Sequence, residues 1–205
     1  FILLLFYSFI FLPVSSQLVP QCTCSIVAPC YTNAADTITR CADRCQTHFI
    51  SLGLTYPAVR KCILDKAPAL TDVVECARKS FGDVCAAKPG PLVSKRYPET
   101  MQLAAFRQLN DMVERSGLLG EMGVLSKVFK NALGCITKCM GQPGCTGTKT
   151  CGLALPPDDQ IVATFKGCAQ SQGLLATQTV RDWCSCIANA GMSQLDHICS
   201  RITIT

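Results

Sequence analysis

The run from 134 to 151 holds four cysteines, Cys135, Cys139, Cys145 and Cys151. Cys135 and Cys139 stand one helical turn apart, so on a helix both thiols point the same way, about 6 Å apart along the axis. The same spacing recurs at Cys41 and Cys45. Gly141, Pro143 and Gly144 stop the later helix and leave Cys145 and Cys151 in a turn-rich segment. A helix face that offers two thiols constrains its surroundings, because neighbouring elements must bring sulfur to meet it. The rest of the chain reads as helices arranged so that these pairs find partners.

The chain holds sixteen cysteines: Cys22, Cys24, Cys30, Cys41, Cys45, Cys62, Cys76, Cys85, Cys135, Cys139, Cys145, Cys151, Cys168, Cys184, Cys186 and Cys199. An even number at this density, in an extracellular setting, points to disulfides in preference to free thiols or a metal site. Half of them precede Ala86 and half follow from Cys135 on, so each half is expected to close its own bridges. Eight cysteines allow 105 pairings per half, and the connectivity stays open. Each bridge stabilises by roughly 2–4 kcal/mol, enough to hold small cores that are marginal alone.

The extracellular setting follows from the first residues. Phe1 to Leu12 is almost wholly apolar and leads through Pro13-Val14-Ser15-Ser16 to Gln17. That is the pattern of a secretory signal peptide over 1–16, too short to span a bilayer, with Val14 and Ser16 placed for a cut before Gln17. Without a Met or a basic flank, the sequence is expected to begin inside that signal. No later stretch approaches the ~18 consecutive apolar residues of a membrane span, and the tail from Arg201 to Thr205 is polar and short. A soluble, secreted protein without a membrane span is expected. The net charge of +5 is mild and scattered, and there are only one Trp and four Tyr. A nucleic-acid surface combines a basic face with aromatics for stacking, so nucleic acid is excluded as a partner.

Hydrophobic periodicity sets the fold class as all-α. Residues 17–33 read as irregular, with Asn33 as N-cap of a helix to about Leu52 that buries Ile38, Cys41, Ala42, Cys45 and Phe49 and closes at Gly53. A short helix opens at Pro57 and ends before Pro68, and a third runs from after Thr71 to about Cys85. Residues 87–98, rich in proline, form an extended linker. A helix from Glu99 to Ser116 ends at Gly117. Gly117, Gly120 and Gly123 make a loose turn, and a helix then runs unbroken from Val124 to Met140. Pro156-Pro157-Asp158-Asp159 starts a helix that Gly173 stops. Thr179 caps the next, on which Cys184 and Cys186 face opposite sides and serve different neighbours. Ser193 and Asp196 open the last.

The organisation is therefore a signal peptide (1–16), an N-terminal cysteine-rich helical domain (17–86), the linker (87–98) and a C-terminal cysteine-rich helical domain (99–205). The order Cys41-x-x-x-Cys45, Cys62, Cys76, Cys85 parallels Cys135-x-x-x-Cys139, Cys168, Cys184 or Cys186, Cys199. The two disulfide-stapled subdomains thus read as a degenerate internal repeat.

Reaction chemistry is sought and mostly not found. No Cys-x-x-Cys occurs, so neither a thioredoxin-type pair nor a zinc knuckle is present. Only His48 and His197 can act as neutral-pH bases or ligands. Cys45-x-x-His48 is faintly similar to the secreted phospholipase A2 motif, but Arg44-Cys45 stands where a cysteine doublet belongs and Phe49 where the orienting Asp belongs. Ser193 with His197 is a helix cap and a surface base without an oxyanion loop. Asp158 and Asp159 complement a helix dipole. No catalytic, cofactor-binding or metal residue and no cofactor is expected. Two short motifs admit modification. Lys95-Arg96 fits a dibasic protease but reads better as two surface cations. Ser116-Gly117, with Glu114 and Glu121 nearby, fits a chondroitin-type attachment but reads better as a helix C-cap.

The helices bearing Cys41 with Cys45 and Cys135 with Cys139, followed by spaced single cysteines, resemble nematode cysteine-rich secreted proteins of the chondroitin proteoglycan 4 type, mainly over 135–199. The resemblance implies an extracellular, non-enzymatic core protein. The chain departs from it in lacking clustered acidic Ser-Gly sites, which argues against a glycan-bearing role. Cys139, Cys145, Cys151 and Cys184-x-Cys186 are also similar to the helical disulfide domains of glial-factor receptors. Two functions are carried forward. One is an extracellular structural or protein-binding module whose partner is a protein or matrix component. The other is a carrier of an apolar small molecule or lipid in a pocket lined by Phe106, Met112, Met122, Phe129 and Phe165.

Overall fold

The structure, a computed structural model, describes residues 17–32, 34–88, 90–140 and 151–204, without the side chains of 29–32, 34, 98, 109, 119 and 121–129. The signal peptide, the Asn33 cap, the stop at Gly141, Pro143 and Gly144, Cys145 and the side chain of Cys30 lie outside this description.

The chain is helical apart from one two-stranded ribbon. In order it forms β1 (Leu18–Pro20), α1 (Cys24–Thr32), α2 (Ala34–Arg44), α3 (Gln46–Ile50), α4 (Tyr56–Phe81), β2 (Leu92–Ser94), α5 (Pro98–Arg115), α6 (Leu119–Met140), α7 (Asp158–Ser171) and α8 (Thr177–Asn189). A 3-10 turn (Ser193–Leu195) and α9 (Asp196–Cys199) follow. Five helices close a ring: α2 packs on α4, α4 on α7, α7 on α5, α5 on α6, and α6 back on α2. The α8 helix lies against α4 and carries α9.

The larger apolar core draws on both sides of the linker. It unites Ala42, Phe49, Leu54, Tyr56, Val59 and Ile63 with Leu118, Ala132, Ile187, Met192, Leu195 and Ile198. A smaller one joins Val73 and Ala77 of α4 to Cys168 and Ala169 of α7. The bridges follow the same plan. Cys22–Cys151, Cys41–Cys139, Cys45–Cys135, Cys62–Cys186 and Cys76–Cys168 all cross the linker, while Cys24–Cys85 and Cys184–Cys199 do not. The expectation that each half closes its own bridges is overturned. Thiol faces on helices are satisfied by whichever helix packs on them, and here those helices are distant in sequence.

Other differences have local causes. The irregular stretch at 17–33 contains β1 and α1; Val27 anchors α1 in the interior and Cys24–Cys85 pins its first residue. The two helices expected on either side of Pro68 are one 26-residue helix, α4. Pro68 removes one N–H donor and crowds the carbonyl of Leu64. Both residues are exposed, and the bridges at Cys62 and Cys76 hold the helix on each side. This helix stops at Phe81, because Gly82 takes φ +66, so Val84 and Cys85 lie beyond it. Similarly, α6 begins at Leu119 and passes through Gly120 and Gly123, so the loose turn shrinks to Ser116 and Gly117. The α8 helix opens at Thr177, ahead of the expected cap at Thr179.

The linker is extended as expected, and part of it pairs. β2 lies antiparallel to β1 with Val19 opposite Val93. Gly152 fits under both valines, since a Cβ there would sit 2.9 Å from Val19 Cγ2. Lys95 donates through its backbone N–H to the Gln17 carbonyl (2.8 Å) and through Nζ to Gln17 Oε1 (2.9 Å). Arg96 donates to the carbonyls of Leu155 and Pro156, both at 2.7 Å, and to Asp158 Oδ1 at 3.2 Å. The dibasic pair is thus tied down on two sides. A dibasic-specific protease should leave the native protein intact and cut after Arg96 only once the bridges are reduced. Equal rates on both forms would contradict this.

Two glycines give opposite tests of the backbone. Gly191 takes φ +132, and a Cβ there would lie 2.5 Å from the Gly53 carbonyl oxygen. Gly167 sits inside α7 with open space around it. Thermal unfolding should show Gly191→Ala destabilising by about 1–3 kcal/mol and Gly167→Ala stabilising by about 0.5–1 kcal/mol.

Candidate functional site

The Cys41/Cys45 and Cys135/Cys139 pairs bond to one another. Cys41 meets Cys139 and Cys45 meets Cys135, so α2 and α6 run antiparallel with two covalent rungs. At Cys45 the chain turns: its N–H reaches the carbonyls of both Cys41 and Ala42, and α3 departs with His48. On the facing helix Gly134 borders α5, where a Cβ would stand 3.7 Å from Gln102 Nε2.

The result is an open cleft of about 470 Å³ lined by Arg44, Cys45, His48, Asn131, Gly134, Cys135, Lys138 and Cys139. On α6 the lining residues recur at three- and four-residue spacing, one helical face. Cys45 is buried, while Arg44, Asn131 and Lys138 are exposed. No carboxylate stands in the lining. The nearest one in sequence, Asp43, is turned toward α4, where it accepts hydrogen bonds from Tyr56 Oη (2.7 Å) and Arg60 Nε (2.8 Å). The Tyr56 hydroxyl and then Arg60 hold the Asp43 carboxyl below its ordinary range, while burial and the Asp43 carboxylate push the Tyr56 phenol up. Asp43 therefore locks α2 to α4, and among the described residues Arg44 has no ion-pair partner.

The residues weighed from sequence are dispersed. His48 enters the cleft, whereas His197 and Ser193 stand on the exposed last elements. Asp158 engages Arg96. The Ser116 hydroxyl faces the carbonyls of Met112 (2.9 Å) and Thr203 (2.7 Å), and Gly117 takes φ +67, the geometry of a helix C-cap. Phe165 stacks tilted on Phe81, Phe106 and Met112 are half-buried, and none of the three lines the cleft. The side chains of Met122, Phe129 and Glu121 lie outside the described residues.

Arg44, Asn131 and Lys138 were not singled out from sequence. Their only signal is helical spacing from the cysteines beside them, and that becomes informative once the pairing is known. Fourteen of the sixteen cysteines appear in the seven described bridges. Among the described residues no group of three or more His, Cys, Asp and Glu stands where it would hold a metal ion, and no helix is long and apolar enough to cross a membrane. No family model matches the chain, and neither a curated protein nor a solved structure does.

The Asp43 lock gives a signed pH dependence. A carboxyl held low in the folded state contributes stability above its unfolded pKa of about 4, and loses it as pH falls through the lower folded value. The melting difference between wild type and Asp43→Asn should be full above about pH 5 and shrink as the pH falls below the unfolded pKa of about 4 and through the lower folded value. A difference that persists undiminished into acid would contradict the lock. Tyr56→Phe should cost about 1 kcal/mol by denaturant unfolding.

Proposed function

We propose that the protein is a secreted, non-enzymatic, disulfide-stapled module that binds an extracellular protein or matrix component. The observation that carries this reading is the cleft between α2–α3 and α6, framed by two adjacent disulfides and open to solvent. Covalent links keep the helices of its walls in place before a ligand arrives, which lowers the ordering cost of binding. Seven bridges suit an oxidising, extracellular setting. The resemblance to cysteine-rich secreted proteins of the chondroitin proteoglycan 4 type belongs to the same class of function. A glycan-bearing role is left out of the proposal, because Ser116 serves as a cap and the chain has no cluster of acidic Ser-Gly sites.

The crosswise bridges also support the repeat. Exchanging Cys41 with Cys135 and Cys45 with Cys139 turns Cys41–Cys139 into Cys45–Cys135. Exchanging Cys62 with Cys168 and Cys76 with Cys186 turns Cys62–Cys186 into Cys76–Cys168. Two copies related by a two-fold axis pair in this way.

Asn131→Trp, which adds bulk at an exposed lining position of the cleft, should abolish capture of extracellular ligands by the immobilised protein. Phe165→Ala, outside the cleft, should leave capture unchanged, and equal capture by both variants would contradict the assignment. The carrier alternative is read separately by native mass spectrometry of the secreted chain. A bare mass is expected, whereas a bound, extractable, lipid-sized addition would overturn the module reading in favour of the carrier.

A further inference from the structure

We infer that the cleft between α2–α3 and α6 takes an oxyanion group, a sulfate or a phosphate, as the recognised part of its ligand. The inference rests on the binding-module reading and names the chemistry of that same cleft.

The lining is rich in donors and holds no anion. Arg44 presents a fork of N–H donors, Lys138 an ammonium, Asn131 an amide NH2 and His48 a ring N–H. Arg44 and Lys138 carry full positive charge at neutral pH, and among the described residues neither forms an ion pair. Several other cations are held by carboxylates, Arg60 by Asp43, Arg78 by Glu75 and Arg96 by Asp158, whereas the lining of this cleft supplies none. The unmatched pair converges on one concave site.

A blander account exists for each residue alone. Arg44, His48 and Lys138 each lie in the last turn of a helix, where a cation complements the free carbonyls. For Arg44 that account is weakened, since the Cys45 N–H already takes the carbonyls of Cys41 and Ala42. It also leaves unexplained why residues from three helices meet in one cleft while the adjacent carboxylate, Asp43, is drawn to the other side of α2.

Shape narrows the ligand further. Two bridges one turn apart prevent α2 and α6 from separating, so the helices that carry the donors keep their spacing, which lowers the cost of gathering them on a compact oxyanion. A cleft of about 470 Å³ exceeds a bare ion and falls in the range of small-ligand sites. Its open side lets the group arrive attached to a larger carrier.

The test is a titration of the 15N-labelled full chain by NMR with sodium sulfate and, separately, sodium phosphate, each against sodium chloride at matched ionic strength. Saturable shifts at Arg44, His48, Asn131 and Lys138 are expected, with affinity at least tenfold weaker in the Arg44→Ala/Lys138→Ala variant. Tenfold tighter binding of one anion would identify which group is recognised. Shifts that stay linear and match those of chloride overturn the inference without needing any variant, as does unchanged affinity in the variant. If the titration is flat while Asn131→Trp still abolishes ligand capture, the anion assignment falls and the module reading stands.

Discussion

Two covalent bonds one helical turn apart fix more than either does alone. A single bridge between two helices leaves them free to pivot about it, whereas Cys41–Cys139 and Cys45–Cys135 set both the direction of α2 against α6 and its register. With the first bridge in place, the second closes only the short circuit made by the two four-residue spacings. In the chain-entropy picture such a loop contributes about 2–3 kcal/mol, against nearly 5 for a loop of about a hundred residues. The pair is thus redundant for holding the chain together and specific for holding the helices parallel to a common seam. The cleft is a consequence of that seam.

The same logic runs along α4. Cys62 reaches α8 and Cys76 reaches α7, and between them the helix carries Pro68. Tethers on both sides let a long helix survive a residue that would end a free one. At the other edge, Cys22–Cys151 and Cys24–Cys85 gather the β ribbon, the end of α4 and the segment before α7 into one corner. Polar contacts complete what sulfur begins: Asp43 ties α2 to α4, Arg96 ties the linker to the start of α7, and Thr177 and Arg181 hold the tail at Ile202 and Ile204.

Much of the helical content was legible because periodicity and caps are local. Ile38, Cys41 and Ala42 announce the buried face of α2, although the helix expected to run on to about Leu52 divides at Cys45 into α2 and α3; Gly117 and Gly173 mark stops, and Pro157-Asp158 marks a start. The failures are equally physical. Pro68 ends a helix on local rules, and only tethers distant in sequence reverse that outcome. Val19 and Val93 form a ribbon across a long separation that no window spans. The different partners of Cys184 and Cys186 follow from their angular separation, yet which cysteine each would find depends on tertiary packing. The cleft was hidden for the same reason: Arg44 and Lys138 are ordinary surface cations until Cys45 is known to meet Cys135.

The measurement that bears most directly on this account is a disulfide map from an acidic, non-reducing digest, read by mass spectrometry. The account predicts linked peptides joining the Cys41–Cys45 segment to Cys135–Cys139, Cys62 to Cys186, and Cys76 to Cys168. Linked peptides confined to residues before the linker on one side and after it on the other would contradict it, and would remove the shared core and the cleft together.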